Sequence, residues 1–149
     1  MKSNGTGPFI GIVASSGSQL TCSAASDPNF NVDEIAGFTG FVMELTNSAQ
    51  TAPIAGTYTV STSSNGPPLD AYVASAVENA QCSNAGGLGT AGTVTLSNVS
   101  ATSVSGSFDV TISTVAGTPD HVTGTFDLPL CQIQVIPQAD KDGGFFTCQ

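Results

Sequence analysis

The stretch that decides the fold is Ser103-Val104-Ser105-Gly106-Ser107-Phe108-Asp109-Val110-Thr111-Ile112. Every even position in it is apolar or glycine, and every odd position is polar. The same alternation returns in His121–Leu128. Because successive side chains of a β-strand point to opposite faces of the sheet, this period of two predicts strands with one buried and one exposed face.

A third strand precedes these two, at Thr93–Ser97. The connections between the three are short, which favours antiparallel hairpins and therefore a three-strand β-meander toward the C-terminal end. The apolar phase breaks between Leu96 and Val99, and this predicts a β-bulge near Ser97-Asn98.

Two glycines, Gly106 and Gly124, fall on the apolar face of the meander. A glycine weakens a strand unless a neighbouring side chain covers it. One register places Phe108 opposite Gly124 and Phe126 opposite Gly106, so that each ring covers a glycine. The alternative, shifted by two residues, pairs Phe108 with Phe126.

The composition predicts an all-β protein. The chain has 149 residues with 17 glycines and 8 prolines, and serine and threonine are frequent. We expect one domain, 1–149, built as an antiparallel β-sandwich of about eight to ten short strands, with a small β-barrel as the alternative.

Further strands are predicted along the chain from apolar alternation and flanking turns. They are Gly7–Val13, Ser18–Cys22, Phe41–Thr46, Gly56–Ser61, Gln132–Ile136 and Phe145–Cys148. Asn31–Gly37 is predicted to form one helical turn.

Two segments are harder to assign. Leu69–Cys82 fits both helical and strand spacing, and the strand is favoured because all its neighbours are strands. Ser83–Gly92 is rich in glycine and is predicted to be a mobile linker. It lacks the lysine of a phosphate-binding loop.

The charge balance excludes one class of partner. The chain has 2 basic and 11 acidic residues and a net charge of −9. A protein that binds nucleic acid neutralises phosphates with lysine and arginine, so no nucleic-acid partner is expected. Anionic membrane surfaces are disfavoured for the same reason. The acidity is interpreted as an aid to solubility.

Four cysteines indicate two disulfides in an oxidising compartment. They lack the C-x-x-C spacing of a zinc site. Three connectivities are possible, and we favour Cys82–Cys131 with Cys22–Cys148, because the first pair would bracket the meander and the second would tie the C-terminal segment to the N-terminal hairpin.

We expect the protein to be secreted or exposed at the cell surface. No export signal and no transmembrane run is visible after Met1, so the chain is interpreted as a mature form without its targeting segment.

Part of the chain resembles uncharacterised secreted proteins and lipoproteins of Gram-negative bacteria, myxobacteria among them. The resemblance covers roughly residues 56–131 and is carried by Val104–Thr111, Asp120–Asp127, Pro129–Cys131, Gly56–Val60 and Ala74–Ala76 leading to Cys82. It implies an exported β-rich domain and transfers no catalytic residue. Lipid anchoring stays open.

His121 is the only histidine, and it stands beside Asp120. A Ser-His-Asp triad of the hydrolase type would need a nucleophile motif such as G-x-S-x-G, which the chain lacks. His121 is therefore interpreted as a solvated imidazole, and no catalytic residue is predicted. A secreted hydrolase is a distant alternative.

A weak calcium candidate lies at Asp140 and Asp142, in an acidic turn around Lys141. Calcium takes six or more oxygen ligands, and two carboxylates provide too few unless the loop from Asp27 to Glu34 adds others. A simple acidic turn is the preferred interpretation, and no cofactor is expected.

The function expected from these features is a non-enzymatic extracellular module with a structural, adhesive or assembly role, its strand edges open to a protein partner or to self-association. The alternative is a sandwich or barrel that binds a small apolar ligand. Its cavity would be lined by Phe9, Phe38, Phe41, Phe145 and Phe146, although phenylalanines more often form ordinary core.

Overall fold

The computed structural model describes residues 8–15, 39–49, 51–62, 68–77, 86–114 and 118–131. These residues form seven β-strands and no helix, which confirms the all-β prediction. The strands are β1 Phe9–Ser15, β2 Thr39–Asn47, β3 Gly56–Val60, β4 Leu69–Val77, β5 Gly87–Val99, β6 Ser103–Thr114 and β7 Pro119–Pro129.

All seven strands belong to one curled, mixed sheet in the order β1-β2-β4-β3-β5-β6-β7. Neighbours are antiparallel except β3 and β4, which run parallel through only two residue pairs. The long strand β5 pairs with β4 at Gly87 and Leu88 and with β3 at Thr93–Leu96. β5 therefore joins the two halves of the sheet.

The core lies on one face of the sheet and draws on six of the strands. Its buried members are Ile10, Ile12, Met43, Leu45, Tyr58, Val60, Ala71, Val73, Val94, Leu96, Val104, Val110 and Ile112. The rings of Phe41 in β2 and Phe108 in β6 lie 6.3 Å apart, although these strands are not neighbours in the sheet. The curl thus brings the two halves together around a shared interior.

The meander has the predicted register. Phe108 pairs with Gly124, and Phe126 pairs with Gly106. The predicted bulge is also confirmed, because the β5–β6 register shifts between Leu96 and Asn98. A second shift, between Gly89 and Ala91, was not expected from the sequence.

The strand interpretation of Leu69–Cys82 is confirmed for Leu69–Val77. The linker prediction for Ser83–Gly92 is wrong from Gly87 onward, because Gly87 begins β5. Its glycines serve close packing. A Cβ atom on Gly89 would lie 2.8 Å from the Cβ of Val73, so only glycine lets β5 cross so near to β4.

The predicted two-sheet sandwich is not found in the described part of the chain. Strand pairing continues without a break from β4 through β3 and β5 into the meander, so no second layer separates. The sheet curls instead into a half-barrel, which is closer to the alternative prediction. The predicted strands at 18–22, 132–136 and 145–148 and the helical turn at 31–37 lie outside the described residues.

Candidate functional site

The most extensive polar feature is the outward side of β3, β5, β6 and β7, which we call the hydroxyl face. Its positions alternate with buried residues such as Val94 and Val110. Its hydroxyl-bearing members are exposed or half-buried: Thr57, Thr59, Thr93, Thr95, Ser105, Ser107, Thr111, Thr123 and Thr125.

Cross-strand pairing arranges these side chains in rows. One row runs from Thr57 through Thr95 and Ser107 to Thr125, one residue from each of the four strands. Neighbouring strands lie about 4.8 Å apart, and alternate residues of a strand about 6.7 Å apart. The hydroxyl groups therefore form a regular two-dimensional array.

A second row runs parallel to the first, through Thr59, Thr93, Asp109 and Thr123. Within the first row, the Oγ1 atoms of Thr57 and Thr95 are 3.3 Å apart. A hydroxyl group can donate one hydrogen bond and accept two. The face as a whole can thus exchange many hydrogen bonds with a polar partner.

A hydrogen-bonded pair of one histidine and one aspartate lies on this face. The Nε2 atom of His121 lies 2.6 Å from Oδ1 of Asp109, with 62% and 66% of the two side chains exposed. The pair is diagonal, because Asp109 pairs with Thr123 and His121 with Thr111. Sequence reasoning associated His121 with Asp120 and missed this contact, although the predicted meander register already contained it.

The imidazole and the carboxylate are both open to water, and exposed pairs of this kind contribute little to stability. No third potential metal ligand joins them. Among the described residues, no three histidine, cysteine, aspartate or glutamate side chains lie close enough together to hold a metal ion.

Two polar groups are buried at other places in the sheet, the Tyr58 side chain and one carboxylate oxygen of the half-buried Asp70. The Tyr58 hydroxyl donates to the Ile54 carbonyl oxygen at 2.8 Å and accepts from the Ile54 N–H at 2.9 Å. Burial raises the pKa of Tyr58, an effect that the hydrogen bond with Ile54 opposes. The phenol thus fastens the segment before β3 to the core.

Asp70, at the start of β4, has a buried Oδ1 atom with no hydrogen-bond partner among the described residues. Burial raises the pKa of this carboxyl group, and a hydrogen bond with the Ala71 backbone opposes the shift. Its position between Thr46 of β2 and Thr59 of β3 places it where the parallel pairing begins.

The phenylalanines considered for an apolar cavity are not brought together where the structure describes them. Phe9 and Phe41 lie at opposite ends of the β1–β2 ladder. Phe9 is 38% exposed, whereas Phe41 packs against the core. Phe38, Phe145 and Phe146 lie outside the described residues.

Of the four cysteines, only Cys131 lies in the described part of the chain, and it is not a free thiol. Cys22, Cys82 and Cys148 lie outside it, so the predicted pairing stays a prediction. The calcium candidates Asp140 and Asp142 also lie outside it.

No protein-family model, curated protein sequence or solved structure matches this chain. Within the described ranges, no helix is long and apolar enough to cross a membrane.

Proposed function

We propose that this protein is a non-enzymatic extracellular or cell-surface module with a structural or adhesive role, stabilised by the disulfides Cys82–Cys131 and Cys22–Cys148. The observation that carries the proposal is the hydroxyl face. It spans four adjacent strands, so it offers a broad contact surface instead of an enclosed site.

The chemistry of the face favours a neutral polar partner. Its rows consist of serine and threonine, interrupted by Asp109, its partner His121 and Asp127. The net charge of −9 repels acidic polymers. A hydroxyl-rich polymer such as a neutral polysaccharide can match an array of donors and acceptors without placing charges in contact.

The test uses the variants Thr95→Val and Thr125→Val, which remove two hydroxyls of one row and preserve the side-chain shape. We expect the wild-type protein to be depleted from solution by insoluble cellulose or chitin, and the double variant to be depleted much less. Thr51→Val, at an exposed position in the connection between β2 and β3, is the matched control and should bind as the wild type does. Equal retention of wild type and double variant, or no retention of either, would contradict the proposal.

The alternative of a small apolar ligand has less support. Tyr58 and Leu45 have no exposed surface, and Met43 is 1% exposed, so these side chains themselves fill the interior around them. Native mass spectrometry of protein purified from its own host discriminates the two functions: a copurified apolar molecule would favour ligand binding. The distant alternative, a secreted hydrolase, predicts that His121→Gln abolishes any hydrolytic activity found.

A further inference from the structure

Strand β7 is an open edge of the described sheet. It pairs with β6 alone, along its full 11 residues and without a register shift. Natural proteins usually protect such an edge with a bulge, a lysine or a proline within the strand. The nine residues Asp120–Leu128 contain no lysine, proline or register shift, and their only carboxylates, Asp120 and Asp127, lie near the two ends of the strand. This edge is therefore a template for another strand.

The hydrogen bonds show which residues of β7 face the free edge. The Leu130 N–H donates to the Thr102 carbonyl oxygen at 2.9 Å. Hydrogen-bonded pairs alternate along an antiparallel ladder. The backbone N–H and C=O groups of the even-numbered residues of β7 therefore bond to β6, and those of the odd-numbered residues point toward the free edge. Pro119 and Pro129 are both odd, as expected for residues that have no N–H to give to a ladder.

The sequence of β7 is self-complementary about Gly124. Reading outward from this glycine, Thr123 corresponds to Thr125, and Val122 to Phe126. The next positions pair His121 with Asp127 and end with Pro119 and Pro129, whereas Asp120 with Leu128 is the one pair that does not match.

We propose that β7 binds β7 of a second copy of this chain, antiparallel, with a two-fold axis at Gly124. The pairing deepens the proposed structural role and rests on it, since it names the partner through which the module assembles. Such an interface is isologous, because the same patch serves on both copies.

The register satisfies the backbone on both sides. His121, Thr123, Thr125 and Asp127 carry the edge-facing N–H and carbonyl groups, and each meets an odd-numbered residue of the other copy. The ladder gains about eight hydrogen bonds. A shift by one residue would set the edge-facing N–H and carbonyl groups opposite even-numbered residues, whose own N–H and carbonyl groups bond to β6. That register is therefore excluded.

The side chains agree with the same register. Val122 and Phe126 are half-buried, whereas Val110 and Ile112 on the neighbouring strand are 1% exposed. Val122 of each copy would lie opposite Phe126 of the other, in non-hydrogen-bonded pairs, where side chains approach most closely. On the outer face, His121, whose Nε2 atom is bonded to Asp109 of its own copy, would lie opposite Asp127 of the second copy.

Net charge opposes this association, because each copy carries −9. Salt screens repulsion between charged surfaces. The dimer is therefore expected to tighten as ionic strength rises, unlike an assembly held mainly by ion pairs.

The experiment measures molar mass by light scattering after size exclusion, for the full chain over a wide range of concentration. We expect a monomer–dimer equilibrium. Thr125→Pro removes an edge-facing N–H and should raise the dissociation constant at least about tenfold, because each dimer loses two ladder bonds. Thr125→Val keeps the N–H and should still dimerise. Binding to polysaccharide by the hydroxyl face is a separate readout, so the two proposals can fail independently.

Amide hydrogen exchange, followed by NMR, tests the register without a variant that could misfold. Protection of the Thr123 and Thr125 amides should increase with protein concentration, while Gly124 stays protected throughout. A chain that is monomeric at every concentration would overturn the inference, whether those amides exchange freely or are covered by another segment of the same chain. A dimer that survives Thr125→Pro unchanged would also overturn it, because another surface would then form the contact.

Discussion

The Phe108 ring lies directly over Gly124 across the β6–β7 ladder, with its Cζ atom 2.6 Å from the position that a Cβ atom would occupy. The reciprocal contact places Cζ of Phe126 2.8 Å from the corresponding position at Gly106. Each ring thus takes the volume that the opposite residue leaves empty. The two contacts fix the register, because a slip would separate both rings from their glycines at once.

Gly124→Ala should destabilise the protein by about 1 to 3 kcal/mol, because the new methyl group overlaps the Phe108 ring and the core must shift to admit it. Gly11→Ala is the matched control, since its Cβ would lie 3.6 Å from the nearest atom, a carbon of Phe9. Chemical denaturation of both variants at one protein concentration provides the comparison. Equal loss of stability in the two variants would contradict the ring-over-glycine interpretation.

Leu96→Ala should cost about 2 to 5 kcal/mol, because Leu96 is 1% exposed and its removal leaves a cavity in the core. Leu88→Ala, in the same strand, removes a side chain that is 48% exposed and should cost much less. The difference between their denaturation midpoints measures how much more the buried Leu96 side chain contributes to stability than the exposed Leu88 side chain. Similar midpoints would contradict the orientation of β5 in which Leu96 is buried and Leu88 is exposed.

Tyr58→Phe should lower the free energy of unfolding by about 1 to 2 kcal/mol, because both hydrogen bonds with the Ile54 backbone are lost. Tyr72→Phe is the control, as Tyr72 is 36% exposed. Thermal and urea unfolding measure both variants. A Tyr58→Phe protein as stable as the wild type would mean that water replaces the phenol at Ile54 without cost.

Asp70→Asn should make the protein more stable at pH 7. Burial raises the pKa of Asp70 above its ordinary value of 3.8, so the folded state binds this proton more tightly than the unfolded state does. That stabilising contribution is fully present below the ordinary pKa and is lost as pH rises through the folded pKa.

The gain from Asp70→Asn should therefore shrink as the pH falls toward the ordinary pKa. Urea midpoints at pH 7 and pH 4 test this. The exposed Asp127→Asn is the control, for which no comparable gain is expected. A gain for Asp70→Asn that stays constant over this pH range would exclude ionisation of Asp70 as its cause.

The meander could be predicted in detail because its information is local. The period of two in Ser103–Ile112 assigns each residue to a face, and the two glycines on the buried face leave few registers that cover them both. The bulge after Leu96 was visible for the same reason, as a break in the apolar phase.

The start of β5 could not be predicted, because its signal is not local. Glycine carries no apolar pattern, so Gly87–Gly92 is typical of a loop until Val73 is known to pack against Gly89. The same limit applies to the sandwich prediction: strand alternation shows which side of a strand is buried, but not whether the burying side chains belong to a second sheet or to the curl of one sheet.

The candidate site was partly foreseeable. The polar sides of β6 and β7 follow from the alternation, but the rows extend to Thr57 and Thr59 only because β3 enters the sheet between β4 and β5. No feature of Gly56–Val60 by itself specifies those neighbours.

The pairing of β5 with both β3 and β4 has a consequence for biosynthesis. β3 shares only two residue pairs with β4 and four with β5, so β3 depends on β5 for most of its ladder, yet it leaves the ribosome before β5 does. β3 must therefore wait for its main partner, whereas β4 can already pair with β2 through nine residues, and β5, β6 and β7 can close as successive hairpins. During translation, the edges of β3 thus stay exposed until β5 is made, and exposed strand edges of this kind are prone to aggregation.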